Sequence, residues 1–289
     1  MCGIFGIGFL KGTVVKEHNK ILDLINLLGM GTESYGRHCS GVTIASPFKL
    51  TFAKYPEKMT SFLQNENILN MLKTNLILNS PVDETNSYAV VAHCRYPTQG
   101  AKENNNNNHP IKVGNIIGVH AGCVSSDHQL FKANINNFKR IGEVDSEIIF
   151  QLLNSYRGDP ENGSMIDAIK RTAPLLKGSF TCAVLSNTDK YKLYLFRSGP
   201  TLDVTFYKNL GLLVFATSYK SIVEPAMKKT FGREDIENKE SIALENGTGL
   251  AINLRKNTYT RFSLLESNTI LETRIVEDSK GFKSIVHTN

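Results

Sequence analysis

The chain opens Met1-Cys2-Gly3-Ile4-Phe5-Gly6-Ile7-Gly8-Phe9-Leu10, and the reading of the rest turns on this stretch. From Ile4 to Phe9 apolar side chains alternate with glycine, the pattern of a buried strand. Gly3, Gly6 and Gly8 let neighbouring backbone or a ligand come close. Removal of Met1 would leave Cys2 with a free α-amine beside its thiol. Reference pKa values are about 7.7–8.0 for the amine and about 8.5 for the thiol. One residue would then hold a nucleophile and a base near neutral pH, and an N-terminal amine activating its own side chain is a known arrangement. A cysteine at position 2 says little alone, so the context decides.

Working outward, Val14–Met30 carries Ile21, Leu22, Leu24, Ile25, Leu27 and Leu28, the mark of a well-buried helix that Gly29 and Gly31 should end. Gly41–Ser46 and Leu50–Tyr55 read as paired strands around Pro47, and Met59–Leu78 as a peripheral helix. Ser87–Arg95 and Val113–Gly122 are apolar strands. Between them lies a polar loop, Ala101–Asn108, with five consecutive asparagines. Asp145–Tyr156 and Met165–Leu176 read as helices, the first with Asp145 as a natural N-cap. Ser179–Ser186, Lys192–Arg197, Thr205–Tyr207 and Leu212–Ala216 follow as strands. A helix, Ser218–Thr230, and two late strands, Gly249–Asn253 and Thr260–Leu264, complete the pattern. Strands, then helices, then strands again suggest two mostly antiparallel sheets with helices outside.

Composition narrows the class. Hydrophobic residues make up 41% and charged residues 21% of the 289, which suits a folded protein with a sizeable core. No apolar run reaches the roughly 18 residues of a membrane span, and the opening lacks a signal peptide's basic region and cleavage site. Five scattered cysteines without a CxxC pair argue against a disulfide framework or zinc site and fit a reducing cytoplasm. Cys39, Cys94, Cys123 and Cys182 read as small buried hydrophobes. The net charge of +6 is dispersed, so it reads as a solvated basic surface and not as a nucleic-acid footprint.

Further segments resemble one family in order. Cys2-Gly3-Ile4-Phe5-Gly6 resembles the start of class II glutamine amidotransferases, which are N-terminal-nucleophile (Ntn) hydrolases. Arg37-His38-Cys39-Ser40-Gly41 loosely resembles their R-G-x-D-S-x-G segment. His93-Cys94-Arg95-Tyr96-Pro97-Thr98-Gln99-Gly100 closely resembles H-x-R-[YW]-x-T-x-G. Asn108-His109-Pro110, His120-Ala121-Gly122, Val144-Asp145-Ser146-Glu147, Gly178-Ser179-Phe180 and Ala216-Thr217-Ser218 stand where the family has N-x-[HQ]-P, H-N-G, D-[ST]-E, G-[AS]-[FY] and A-S-E. The resemblance implies an α+β fold, a four-layer αββα sandwich of two mostly antiparallel sheets. It covers residues 2–255 as the amidotransferase domain, leaving 256–289 as a C-terminal strand and tail extension.

The resemblance also implies roles. Cys2 is the nucleophile, and Gly122 donates its N–H to the oxyanion. Arg95 holds the α-carboxylate of L-glutamine, a task for a rigid bidentate fork. Thr98 adds a hydroxyl to the same carboxylate, Asp145 pairs with the α-ammonium, and His109 is a further substrate-site residue. The implied activity is hydrolysis of glutamine to glutamate and ammonia through a Cys2 thioester, with neither metal nor organic cofactor. No P-loop, Rossmann fingerprint or iron–sulfur cysteines mark a domain that would use the ammonia. A separate acceptor synthetase or transferase subunit is therefore expected, or glutaminase activity alone. One departure stands out. Ala121 replaces the oxyanion asparagine, with Asn115, Ser125 and Ser126 as candidate substitutes. The alternative this raises is a catalytically impaired glutamine-binding or regulatory subunit.

Overall fold

A computed structural model describes residues 2–15, 17–78, 86–158, 163–265, 270–276 and 284–285. The first strands are β1 (Gly3–Phe9), β2 (Cys39–Ala45), β3 (Leu50–Tyr55), β4 (Ala89–Arg95), β5 (Ile111–Val113), β6 (Ile116–Val124) and β7 (Gly178–Ser186). Then come β8 (Lys192–Ser198), β9 (Asp203–Tyr207), β10 (Leu212–Ala216), β11 (Lys239–Ala243), β12 (Thr248–Asn253), β13 (Thr258–Ser263), β14 (Ile270–Ile275) and β15 (Ser284–Ile285). The helices are α1 (His18–Thr32), α2 (Met59–Gln64), α3 (Glu66–Asn75), α4 (Asp127–Ala133), α5 (Ser146–Arg157), α6 (Met165–Thr172), α7 (Glu224–Thr230) and α8 (Arg233–Glu237).

Among the described residues the strands form two sheets, in the orders β11-β9-β10-β1-β4-β2-β3 and β15-β14-β13-β12-β8-β7-β6-β5. Every ladder is antiparallel. The glycine-broken opening strand is the central strand of the first sheet, and all seven of its residues are buried. A side chain at Gly6 would lie 2.2 Å from the Phe215 ring, so glycine is what lets the β10 aromatic cross β1.

Three apolar layers alternate with the sheets. Ile21, Leu24 and Leu28 of α1 cover the outer face of the first sheet. Ile4, Val91, Val119, Ala121 and Leu195 fill the space between the sheets. Ile148, Ile149, Leu152 and Leu153 of α5 cover the outer face of the second. Each such burial stabilises by about 1.5–3 kcal/mol, and the stacking gives the expected αββα sandwich.

Several boundaries differ from the expectation. Helix α1 starts at His18 and runs through Gly29 and Gly31 without stopping. At Gly29 a Cβ would meet Leu63 at 2.8 Å and Met59 at 2.9 Å, so glycine there permits close packing against α2. The helix expected over Met59–Leu78 is two, parted at Asn65, whose side chain caps α3 by accepting from the Asn67 N–H. The single strand expected over Val113–Gly122 is the hairpin β5–β6, turned by Gly114 at φ +55°. Strand β11 and helix α4 were not legible as elements. Cys123 is exposed, because it points away from the layers that bury Cys39, Cys94 and Cys182. No described helix is long and apolar enough to cross a membrane.

Candidate active site

Register places Cys2. Gly3 pairs with Cys94 across β1 and β4, so Cys2 falls beside the end of β4, where Arg95 and Tyr96 lie. The Tyr96 N–H points at the Cys2 sulfur at 3.3 Å, and the thiol can donate to the Tyr96 carbonyl at 3.6 Å. Thr217 fixes the next turn of chain, since its hydroxyl oxygen accepts the Ile4 N–H at 2.8 Å. Burial pushes the Cys2 thiol above its usual pKa. The Tyr96 N–H and the Arg95 charge pull it down, and Asp145 pushes it up. A thiol raised in this way needs a base to become the reactive thiolate.

Arg95 is 3% exposed at the end of β4. Its Nη1 donates to Asn108 Oδ1 at 2.8 Å, and its Nη2 to the carbonyls of Gln99, at 2.5 Å, and Gly100, at 3.1 Å. Thr98 is exposed in the loop that follows. That loop is braced further on, where Glu143 Oε2 accepts from the Ala101 N–H at 3.3 Å and the Asn107 side-chain amide at 2.8 Å. An open groove of about 610 Å³ borders the loop at Gln99, Gly100, Ala101, Arg140 and Glu143.

The second sheet supplies the opposite wall. Gly122 sits near the end of β6 at φ +142°, and a Cβ there would fall 2.1 Å from the Ser179 carbonyl of β7. Only glycine takes this conformation without strain. Two residues on, the Val124 N–H donates to Asp145 Oδ2 at 2.6 Å. Asp145 therefore does not cap α5 with its side chain; the carboxylate turns to the tip of β6 instead. Among the described residues its Oδ1 has a single 3.5 Å contact, with the Ser146 hydroxyl.

A histidine stitch joins the walls. His93 of β4 donates Nε2–H to the His120 carbonyl of β6 at 2.9 Å. The His120 ring meets the Ser146 hydroxyl, beside Asp145, at 2.8 Å. His109 lies buried between them, its ring 4.2 Å from His93 and 6.5 Å from His120, with neither ring nitrogen hydrogen-bonded. Burial lowers the pKa of all three, that of His93 to about 3. His109 thus faces other imidazoles, not open space.

The position of the missing asparagine is apolar. Ala121 is 1% exposed and packs in the layer between the sheets, the layer that Cys2 also touches. None of the candidate substitutes replaces it. The Ser125 and Ser126 hydroxyls are spent on the carbonyls of Lys177 and Leu175, and Asn115 sits in the turn at the opposite end of β6. The sequence placed His93, Asn108 and His120 in family-like segments without giving them a role, and gave none to Lys54 or Asn107. The asparagine run, which read as a polar loop, contains two of them.

Two facing antiparallel sheets, helices on both outer faces and a cysteine heading the central strand define an N-terminal-nucleophile architecture. No family model matches the sequence. Curated relatives are glutamine–fructose-6-phosphate aminotransferases (isomerizing). That of Francisella tularensis is 30% identical over 178 residues, 58% of this chain and 28% of the relative. Those of Listeria innocua and Helicobacter pylori are 25% and 28% identical over 79% and 85% of this chain, covering 40% and 37% of the relatives. The chain thus spans less than half the length of these relatives. A solved glutamine phosphoribosylpyrophosphate amidotransferase from B. subtilis superposes with a TM-score of 0.63 at 18% identity, over 93% of this chain and 50% of that one. In sequence the chain is similar to a part of these aminotransferases, and in fold to a glutamine amidotransferase.

Proposed function

We propose that the domain hydrolyses L-glutamine to L-glutamate and ammonia, and that the ammonia passes to an acceptor domain or partner. The observation that carries this reading is the convergence on Cys2. Its thiol lies within the electrostatic reach of Arg95 and Asp145, and it is held by the Tyr96 N–H at the same end of the two sheets. A guanidinium and a carboxylate on opposite walls match the two charged ends of a free amino acid.

With Met1 removed, the Cys2 α-amine accepts the thiol proton through a water. The thiolate attacks the side-chain amide carbon of glutamine, and the Gly122 N–H donates to the oxyanion. The C–N bond breaks as the leaving nitrogen takes the proton from the ammonium, giving ammonia and a γ-glutamyl thioester. Water then adds to the thioester, releasing glutamate and restoring the thiol. Arg95 and Thr98 hold the α-carboxylate, Asp145 holds the α-ammonium, and His109 supports the wall from behind. The finer reading places the acceptor on a separate synthetase or transferase subunit in the cytoplasm. The aminotransferase relatives favour this hydrolytic reading over an impaired, regulatory one.

Intact mass before and after treatment with 6-diazo-5-oxo-L-norleucine tests it. The expected result is loss of Met1 and one adduct that Cys2→Ala abolishes. A retained Met1 with no adduct overturns the reading.

A further inference from the structure

The run of five asparagines and a lysine on an edge strand form a bracket behind Arg95. Strand β3 is the edge of the first sheet, and Lys54 pairs there with Gly41 of β2. A Cβ at Gly41 would lie 2.1 Å from the His109 carbonyl and 2.8 Å from Pro110, so glycine lets the 105–110 loop lie directly on the sheet. Lys54 then clamps that loop from the side. Its Nζ donates to the carbonyls of Asn108 at 2.7 Å and Pro110 at 3.0 Å, while its own carbonyl accepts from Asn105 Nδ2 at 2.8 Å.

The clamp fixes one amide. Asn108 is fully buried, and its Nδ2 donates to Lys102 O at 2.9 Å and to Asn105 Oδ1 at 3.1 Å. With both donors used, the amide is locked in one orientation, which aims Oδ1 at Arg95 Nη1. Asn107 does the same next door, tying Ala101 and Glu143. A buried guanidinium left without this acceptor would swing toward other carbonyls, because an unpaired charged donor is costly. Burial lowers Lys54 to a pKa of about 8, Glu147 raises it, and the Arg95 charge lowers it. The two cations are therefore close enough to feel one another.

We infer that Lys54 and Asn108 are positioning residues that set Arg95 for an α-carboxylate and so determine selectivity for a free amino acid over its α-amide. The inference rests on the glutamine-binding reading above. It reaches past Arg95 to residues that never touch the substrate.

Titration calorimetry on the Cys2→Ala protein separates binding from turnover. The probes are L-glutamine and L-glutaminamide, in which the α-carboxylate is replaced by a neutral carboxamide. Asn108→Ala and Lys54→Met should each weaken L-glutamine about tenfold while changing the amide less than about twofold, as expected for loss of a hydrogen bond to a charged group. Lys54→Arg should retain most of the preference, since it keeps a cation within reach of both carbonyls. A melting curve for each variant confirms a folded sample. Equal weakening of both probes, or no weakening of either, overturns the inference. A parent protein that binds neither probe overturns the glutamine reading, and this one with it.

Discussion

The two ends of the cleft are built on different principles. At the proposed carboxylate end, Arg95 has three oxygen acceptors among the described residues, and the residues behind it, Asn108 and Lys54, are themselves hydrogen-bonded to the loop. At the proposed chemical end, Cys2 meets one backbone N–H, Gly122 is the proposed oxyanion donor, and the side chain before it is the methyl of Ala121. Polar redundancy holds an arginine that must be in place before substrate arrives. The reacting end needs few groups, but each must strengthen its hold as charge develops. Losing one donor there changes rate, whereas losing one partner at the other end changes affinity.

Ala121→Asn tests this contrast most severely. Restoring a side-chain amide at the oxyanion position should raise kcat by about 10²–10³, the usual worth of one such donor, with little change in KM. Steady-state ammonia release measures both. An unchanged kcat in a folded variant would mean that the transition state is already held elsewhere, and the contrast between the two ends would shrink.

Part of this contrast was legible in the sequence, and the reason differs by residue. The opening strand declared itself because glycine at every second or third position is compatible with burial on both faces and little else. Arg95 and Asp145 stood out because ordered segments around them resembled one family. The partners behind them were not legible. Asn107 and Asn108 belong to a run that read as a polar loop, yet both are fully buried, and Gly41, distant in sequence, lets the His109–Pro110 end of that loop lie on the sheet. Gly29 and Gly31 read as helix ends because local propensity says so. Contacts with Leu63 and Ile222 keep them inside α1, and such contacts lie beyond any local window. Asp145 looked like a cap for the same reason. Only the tip of β6, brought alongside by the fold, turns its carboxylate away.

The histidine stitch between the ends predicts a stability effect with a definite sign. Burial holds His93, His109 and His120 below the ordinary histidine pKa of about 6.5, with His93 near 3. Between the folded and unfolded values the unfolded chain binds a proton that the folded chain does not. Stability is therefore complete above about pH 6.5 and falls as pH drops toward the folded pKa. For His93, whose folded value is near 3, this amounts to up to about 1.4 kcal/mol per pH unit in that window. Urea melts between pH 7 and 5 measure the slope, and His93→Asn should reduce it by about one proton's worth. A slope unchanged in the variant would remove His93 from the acid response, and the stitch would then be passive.

The smallest expected effect belongs to Thr98, and it sharpens the comparison because Thr98 is the exposed member of the carboxylate end. A neutral hydroxyl hydrogen bond contributes about 0.5–1.5 kcal/mol. Thr98→Val keeps the shape and removes the hydroxyl. KM for L-glutamine should therefore rise about two- to tenfold with kcat unchanged, since the bond is made equally in the bound and transition states. Arg95→Lys should do more, because a point charge cannot reproduce the fork that Asn108 and the Gln99 and Gly100 carbonyls hold in place. If Thr98→Val lowered kcat instead, the hydroxyl would be acting on the reacting end. The division of the cleft into a binding pole and a chemical pole would then fail at the loop that joins them.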